Sequence, residues 1–591
     1  MGIPSFPRRQ RLILVLAGLI VLLQVAQNFR LTASDSRQRG SSYPNATTNV
    51  PVATSALNAP SATNNVLESD LSQQDVSADG PIAVPTKLST PIHPSTASSP
   101  AITPTITTTD LETNIDWMQA QILDYLNGEA GKDESSVFGG SLLNLTSSFN
   151  VESVWSKVHQ YSQFLMTLPH NRGDLLQLAR RARANLIAYK VIFDHPPSLL
   201  QVLSPSESAI SLTKELHQIV STTTSQIYPW IQPHYKSIKE MQEEASSPKT
   251  APLGIVFSTG KEHFEYAVHA ILSLRQTLNC KLPIQVQYMG PEDLDPEMLT
   301  ALSSIPNVET VDILSKFGNS EVSGWAIKPF AMLASSFQTA IFIDADALFF
   351  QDPEVLVKSS KLFTKHGQLF YRDRTLFQPK YDSLEWFRTI TPVLSKYAST
   401  LRYTTGKSHH EMESGVVVID KSRTDALHSL LLTCQLNSKV ERDIAYAHVY
   451  GDKETFWFSW EMLRAPFEFV PNSGGTLGGM TPTGSVCGPL FHTDEFSQPL
   501  WWNGGLFECK YITTEKYLRF DYAAFDTDGT GHTWEMYGEM PLCLLPGNPS
   551  KEVIRLSPEN EQVGAGFIKL YEALKAKGWK KYFIDAFGTS F

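Results

Sequence analysis

The chain has 591 residues, too many for one domain, and its length alone suggests about three to four modules. A formal net charge of −11 argues against a nucleic-acid partner. The acidic surplus also supplies the oxygen ligands that a hard cation would use.

Arg8, Arg9 and Arg11 precede an uncharged run, residues 12–29. As a helix this run would rise about 27 Å, enough for a thin secretory-pathway bilayer. Its aliphatic start leads into Gln24, Gln27 and Asn28 rather than into a small-residue cleavage site. It therefore reads as a signal anchor, with residues 1–11 as a cytosolic tail. Residues 30–110 shift to Ser, Thr, Pro, Ala and Asn and cannot bury enough apolar surface to fold. They read as a disordered, O-glycosylated stalk. Sequons at Asn45 and Asn144 agree with a lumenal address.

Residues 111–250 read as a helical accessory region. Leu175, Leu176, Leu178, Ala182 and Leu186 recur at helical steps, and Arg180, Arg181 and Arg183 on the same pattern read as a solvated face. Pro196-Pro197 ends that run, and a further helix is expected over about 206–227.

At Ala251 the texture changes to alternating strand and helix. Strands are expected at 253–257, 282–289 and 308–313, with helices at about 263–278, 298–304 and 328–336. Such alternation argues for an α/β domain over 251–591 with a parallel, doubly wound sheet, and ligands then sit beyond the carboxyl ends of the strands. Thr259 and Gly260 fall at the first such end. Lys328, beside Pro329 at a helix start, suits a phosphate.

The apolar run Ala340-Ile341-Phe342-Ile343 reaches Asp344 and Asp346. On a continuing strand the i, i+2 spacing puts both carboxylates on one face. They would repel each other unless a cation sat between them, and oxygen ligands of this kind suit Mg²⁺ or Mn²⁺, which would in turn hold a diphosphate. The bland alternative is a strand running into an Asp-rich turn. Further on, His409, His410, Glu411, Glu413 and Ser414 lead through Gly415 into the strand 416–420, a pattern that suits sugar hydrogen bonding better than a metal cluster. Asp452 is placed to cap the helix that carries Glu454. His492 offers a third metal ligand, and Trp501-Trp502-Asn503 offers flat apolar faces for a sugar ring. Asp526–Gly531 has its glycine misplaced for an EF-hand and reads as a turn. Five cysteines, none in a Cys-x-x-Cys, leave room for up to two disulfides.

Taken together, Gly324-Trp325-Ala326-Ile327-Lys328-Pro329-Phe330, Ile343-Asp344-Ala345-Asp346, Glu413-Ser414-Gly415-Val416, Gly451-Asp452-Lys453-Glu454-Thr455-Phe456-Trp457 and Trp502-Asn503-Gly504-Gly505 resemble the fungal Golgi α-mannosyltransferase family that includes α-1,3-mannosyltransferases (glycosyltransferase family 71). The likeness covers about 251–548. It implies a GT-A fold with a single Rossmann-like nucleotide-binding sheet. It also implies a GDP-mannose donor, Mn²⁺ (or Mg²⁺), and retaining transfer to mannose-rich glycans on glycoproteins. The address would be the Golgi membrane, single-pass type II with a lumenal catalytic domain, with room for a transferase complex. The linkage, α-1,3 or α-1,2, stays open.

By the same resemblance, Asp344, Asp346 and His492 would hold the metal. Thr259, Gly260, Lys328, Ser414 and Gly415 would join the two aspartates around the donor. Glu413, Asp452 and Glu454 would act at the sugar, and Trp502 and Asn503 would meet the acceptor. Two other classes compete. One is a haloacid-dehalogenase-like phosphatase, for which the residues after Asp346 fit poorly. The other is a non-catalytic membrane lectin or complex subunit.

Overall fold

The computed structural model describes residues 158–591, apart from 161, 164, 195–206, 319–321, 377–381, 528–533, 538–539 and 546–550. The expected tail, anchor, stalk and both sequons lie outside the described residues. Among the described residues no helix is long and apolar enough to cross a membrane.

Ahead of the sheet run the helices Leu175–Phe193, Glu207–Ile227 and Ile238–Ala245. Asp174 caps the first by accepting from the Gln177 N–H. Their apolar faces share one core with the helices Thr424–Leu436 and Lys453–Leu463. Polar ties reinforce that contact: the Trp230 indole donates to Gln435 at 2.8 Å, and Arg183 donates to the Met462 carbonyl at 2.7 Å. Arg181 and Arg183 are thus buried rather than a solvated face. Each guanidinium satisfies a main-chain carbonyl; that of Met462 lies in the last turn of its helix, where no intrahelical donor remains.

The central sheet has six strands: β1 (Ala251–Ser258), β2 (Ile284–Tyr288), β3 (Val308–Asp312), β4 (Phe337–Ile343), β6 (Gln368–Arg372) and β7 (Met412–Asp420), with β5 (Ala347–Phe349) lying outside it. Their order is β3-β2-β1-β4-β7-β6. The pairs β1–β2, β2–β3 and β1–β4 are parallel, but β4–β7 and β6–β7 are antiparallel. The sheet is therefore mixed, not the parallel doubly wound sheet that alternation suggested. The reason is that β7 enters from the cleft side and returns along β4, so its start, not its end, lies beside the carboxyl end of β4. β7 is buried at all nine positions, as its β-branched run requires.

β5 joins a second, antiparallel sheet through β8 (Pro499–Asn503). Asp344-Ala345-Asp346 is the turn that hands the chain from one sheet to the other. Two main-chain contacts fix that turn: the Asp344 N–H donates to the Gly415 carbonyl at 2.8 Å, and the Gly505 N–H donates to the Asp346 carbonyl at 2.8 Å. Gly505 makes its contact at φ +75°, a conformation that a side chain would strain. One disulfide, Cys487–Cys543, ties two strands of the second sheet; Cys280, Cys434 and Cys509 are free thiols.

Candidate active site

A cleft of about 880 Å³ opens where the two sheets meet. Thr259, Gly260, Lys328, Asp344, Asp346, Glu413, Ser414, Asp452 and Asn503 all line it. The two carboxylates do not share a strand face, because β4 stops at Ile343 and the pair sits in the turn. The turn brings both to the same cleft and gives each its own lysine. Lys328 Nζ lies 2.9 Å from Asp344 Oδ2, and Lys510 pairs with Asp346.

Lys328 is buried in the first turn of the helix Ile327–Ala334. Its ammonium also donates to Ser414 Oγ at 3.2 Å and stands 3.9 Å from Asp452 Oδ2. Burial opposes that charge, but Asp344 and Asp452 outweigh it and hold the lysine above its ordinary value. Burial pushes the Asp344 carboxyl up to about 7, helped by Asp346 and Asp452 and opposed by Lys328. Asp452 occupies the cap position of the helix Lys453–Leu463, yet its side chain caps nothing. It faces Lys328 instead, and its Oδ2 is buried without a hydrogen-bond partner. Burial raises the Asp452 carboxyl as well.

Glu413 is held from two sides, accepting from Asn503 Nδ2 at 2.8 Å and from the Gly415 N–H at 2.9 Å. A Cβ on Gly415 would stand 2.7 Å from both Asn503 Nδ2 and Glu413 Oε1, so only glycine permits that arrangement. Gly415 supports the site without lining the cleft.

Besides Gly415, three expected site residues are not at the cleft. His492 is buried beneath it, stacked on Trp501 with ring centroids 4.1 Å apart and edge-on to Tyr371 at 5.3 Å. Among the described residues no three His, Cys, Asp or Glu side chains gather as a metal cluster, so His492 does not join Asp344 and Asp346. Trp502 is a core residue whose indole donates to the Gly505 carbonyl at 2.9 Å; alternation along β8 sends Asn503 to the cleft and its neighbour inward. Glu454 is fully buried, accepting from the Trp457 indole at 2.5 Å and the Glu411 N–H at 3.0 Å. It points from its helix into the core and braces the loop that precedes Glu413.

Sequence reasoning gave no site role to Asp373, Lys453 or Lys510, and noted Arg374 only as an arginine near a strand end. Lys453 Nζ lies 2.5 Å from Asp373 Oδ2, while Arg374 and Lys453 line the cleft. Burial lowers the Arg374 guanidinium to about 10. Lys453 adjoins Asp452 in a motif already singled out, which is a usable signal. Lys510, between Cys509 and Tyr511, carries none.

The two aspartates fit a divalent cation of the kind that takes one or two carboxylates plus substrate phosphates and water. Residues 253–498 match the model of a family described as "Mannosyltransferase putative". The chain is 25% identical over 397 residues to the putative α-1,3-mannosyltransferase MNN14 of Candida albicans, covering 55% of this chain and 56% of that protein. It is 24% identical over 335 residues to the α-1,3-mannosyltransferase MNN1 of Saccharomyces cerevisiae, covering 46% of this chain and 43% of that one. The chain thus spans about half the length of the curated relatives it matches. Among solved structures, the mannosyltransferase Ktr4p of S. cerevisiae superposes with a TM-score of 0.24 at 12% identity, over 39% of this chain and 75% of that one.

Proposed function

We propose that the chain is a GT-A mannosyltransferase of the fungal α-mannosyltransferase family, a reading supported by the match of residues 253–498 and by the likeness to fungal α-1,3-mannosyltransferases. In this reading it moves mannose from GDP-mannose to mannose-rich protein glycans, forming an α-1,3 linkage with retention of configuration. It works from the Golgi membrane, anchored through residues 12–29 with its catalytic part in the lumen. The observation that carries the reading is the Asp344–Asp346 turn facing the cleft beside the buried Lys328.

Asp344 and Asp346 would hold Mn²⁺ or Mg²⁺, which when bound supplies electrostatic stabilisation of a departing diphosphate. Lys328 meets the same developing charge, already fixed by Ser414 and Asp344, so little reorganisation is needed as the bond breaks. On the sugar side, positive character grows at C1. Asp452 and Glu413 present carboxylates to it, and Asn503 keeps Glu413 aimed. The acceptor hydroxyl forms the new bond to C1 while the C1–O bond to phosphate breaks; GDP leaves with the electron pair and the hydroxyl proton passes to the departing diphosphate.

The full chain, solubilised in detergent with Mn²⁺ and an α-mannoside acceptor, should release GDP from GDP-mannose and give an α-1,3-linked product by methylation analysis. Turnover of a UDP-sugar with GDP-mannose untouched would overturn the donor assignment, and an α-1,2 product would overturn the linkage.

A further inference from the structure

Trp501 and Trp502 are sealed in the core, so they offer no face to a carbohydrate. The structure exposes three large aromatic rings at the cleft, Trp325 at 52%, Tyr450 at 40% and Tyr511 at 69%, and of these Trp325 and Tyr450 pack against each other. Among the described residues Trp325 is the only tryptophan more than half exposed. We propose that Trp325 and Tyr450 form the platform on which a pyranose of the acceptor glycan stacks. The inference rests on the transferase reading and extends it to the acceptor.

The pair is built rather than incidental. The ring centroids are 5.3 Å apart and the planes are tilted by 38°, giving a bent ledge rather than two loose side chains. Gly451 lies at φ +67° directly behind it, and a Cβ there would stand 2.8 Å from the Trp325 ring. Glycine at this position lets the indole rest on the backbone. On the other side Lys453 Nζ lies 5.1 Å from the Tyr450 ring centre.

Position decides the occupant. Trp325 sits on the turn Gly324–Ala326, three residues before Lys328, and Tyr450 precedes Asp452 by two. The ledge therefore borders the two groups assigned to the breaking bond. A nucleoside held beyond β1 and β2 would lie by Thr259, Gly260 and Asp293, which line the part of the cleft fed by those strands. Tyr450 instead neighbours Lys453, which pairs with Asp373 just after β6, and His410, which precedes β7, both on the far side of β4. A donor running from β1 past Asp344 brings its sugar toward the ledge, and the acceptor must approach from there.

The test compares the wild-type full chain with Trp325→Ala, Tyr450→Ala and Trp325→Phe. Initial rates give KM for α-1,2-mannobiose and for GDP-mannose separately. Saturation-transfer NMR reads mannobiose binding without turnover. Both rings lie at the surface, so truncation opens no core cavity. Each Ala variant should raise the mannobiose KM roughly tenfold or more, while the GDP-mannose KM and acceptor-free hydrolysis of the donor stay within about twofold. Trp325→Phe should recover most of the loss. An unchanged mannobiose KM overturns the platform, as does a parallel rise in the GDP-mannose KM, which would assign the ledge to the base. If the wild type binds mannobiose and loses it in Trp325→Ala but transfers nothing, the platform stands and the transferase reading falls. If it transfers with Trp325→Ala unaffected, the reverse holds. Neither binding nor transfer by the wild type overturns both.

Discussion

His492→Phe separates a core histidine from a metal ligand. The ring stacks on Trp501 at 4.1 Å, and its Nε2 is buried without a partner. Burial, with Arg374 adding to it and Asp373 opposing, lowers its pKa from 6.5 to about 3. The fold therefore keeps the ring neutral while the unfolded chain protonates it near 6.5. The stability it contributes is fully present above 6.5 and is lost as pH falls from there toward 3. At pH 5, about 1.5 units below the unfolded value, the neutral ring costs roughly 2 kcal/mol. Phenylalanine keeps the stacking and removes the titration. The drop in unfolding midpoint between pH 7.5 and pH 5 should shrink by about 2 °C, given the heat of unfolding of a unit this large. Differential scanning fluorimetry across that range measures it. Transfer activity and the Mn²⁺ concentration for half-maximal rate should stay within about twofold. A shift of tenfold or more in that Mn²⁺ requirement would falsify the core assignment, because a stacking ring has no reason to move it.

Asp344→Asn and Asp346→Asn should each lower kcat by about 10²–10³-fold, with the far-UV spectrum kept, when GDP release is followed with GDP-mannose and acceptor. Wild-type rates in either variant would remove the metal-binding turn from the mechanism. Lys328→Met leaves Asp344 and Asp452 buried without their shared cation. It should lose about 3–5 kcal/mol in urea unfolding, and a loss below 1 kcal/mol would show that solvent already reaches the pair. Glu454→Gln alters a buried brace, pushed up to about 8 by burial, whose oxygens meet the Trp457 indole and two main-chain N–H groups. It should lower stability by about 1–3 kcal/mol and leave kcat of the folded fraction within about tenfold; a large kcat loss at unchanged stability would return Glu454 to the reacting sugar.

The four strands from Ala251 to Ile343 and the helix before β3 were legible because each carries its own period and its own stop, whereas the handover from β4 to β5 was not. Asp295 accepts from Met298 N–H and Pro296 opens its helix, so the cap is written locally. The direction of β7 was not legible, since a fully buried strand reads the same in either sense and only the long connection through 372–411 sets it.

The site divides in the same way. Asp344, Asp346 and Lys328 announce themselves by breaking an apolar run or opening an apolar helix, and a charge inside such a run must meet a partner or water. His492 and Trp502 sit in sequence surroundings no less suggestive, but the register His492↔Trp501 and Phe491↔Trp502 puts them on opposite faces of the strand pair, and both faces are buried there. Asn503, one residue on, reaches the cleft. A one-residue difference on a strand therefore separates a core side chain from one that aims Glu413, and no composition or motif spacing encodes it. The same logic exposes Trp325: its turn precedes a helix that is buried at every position, so the apolar demand is met without it and the indole is left at the cleft.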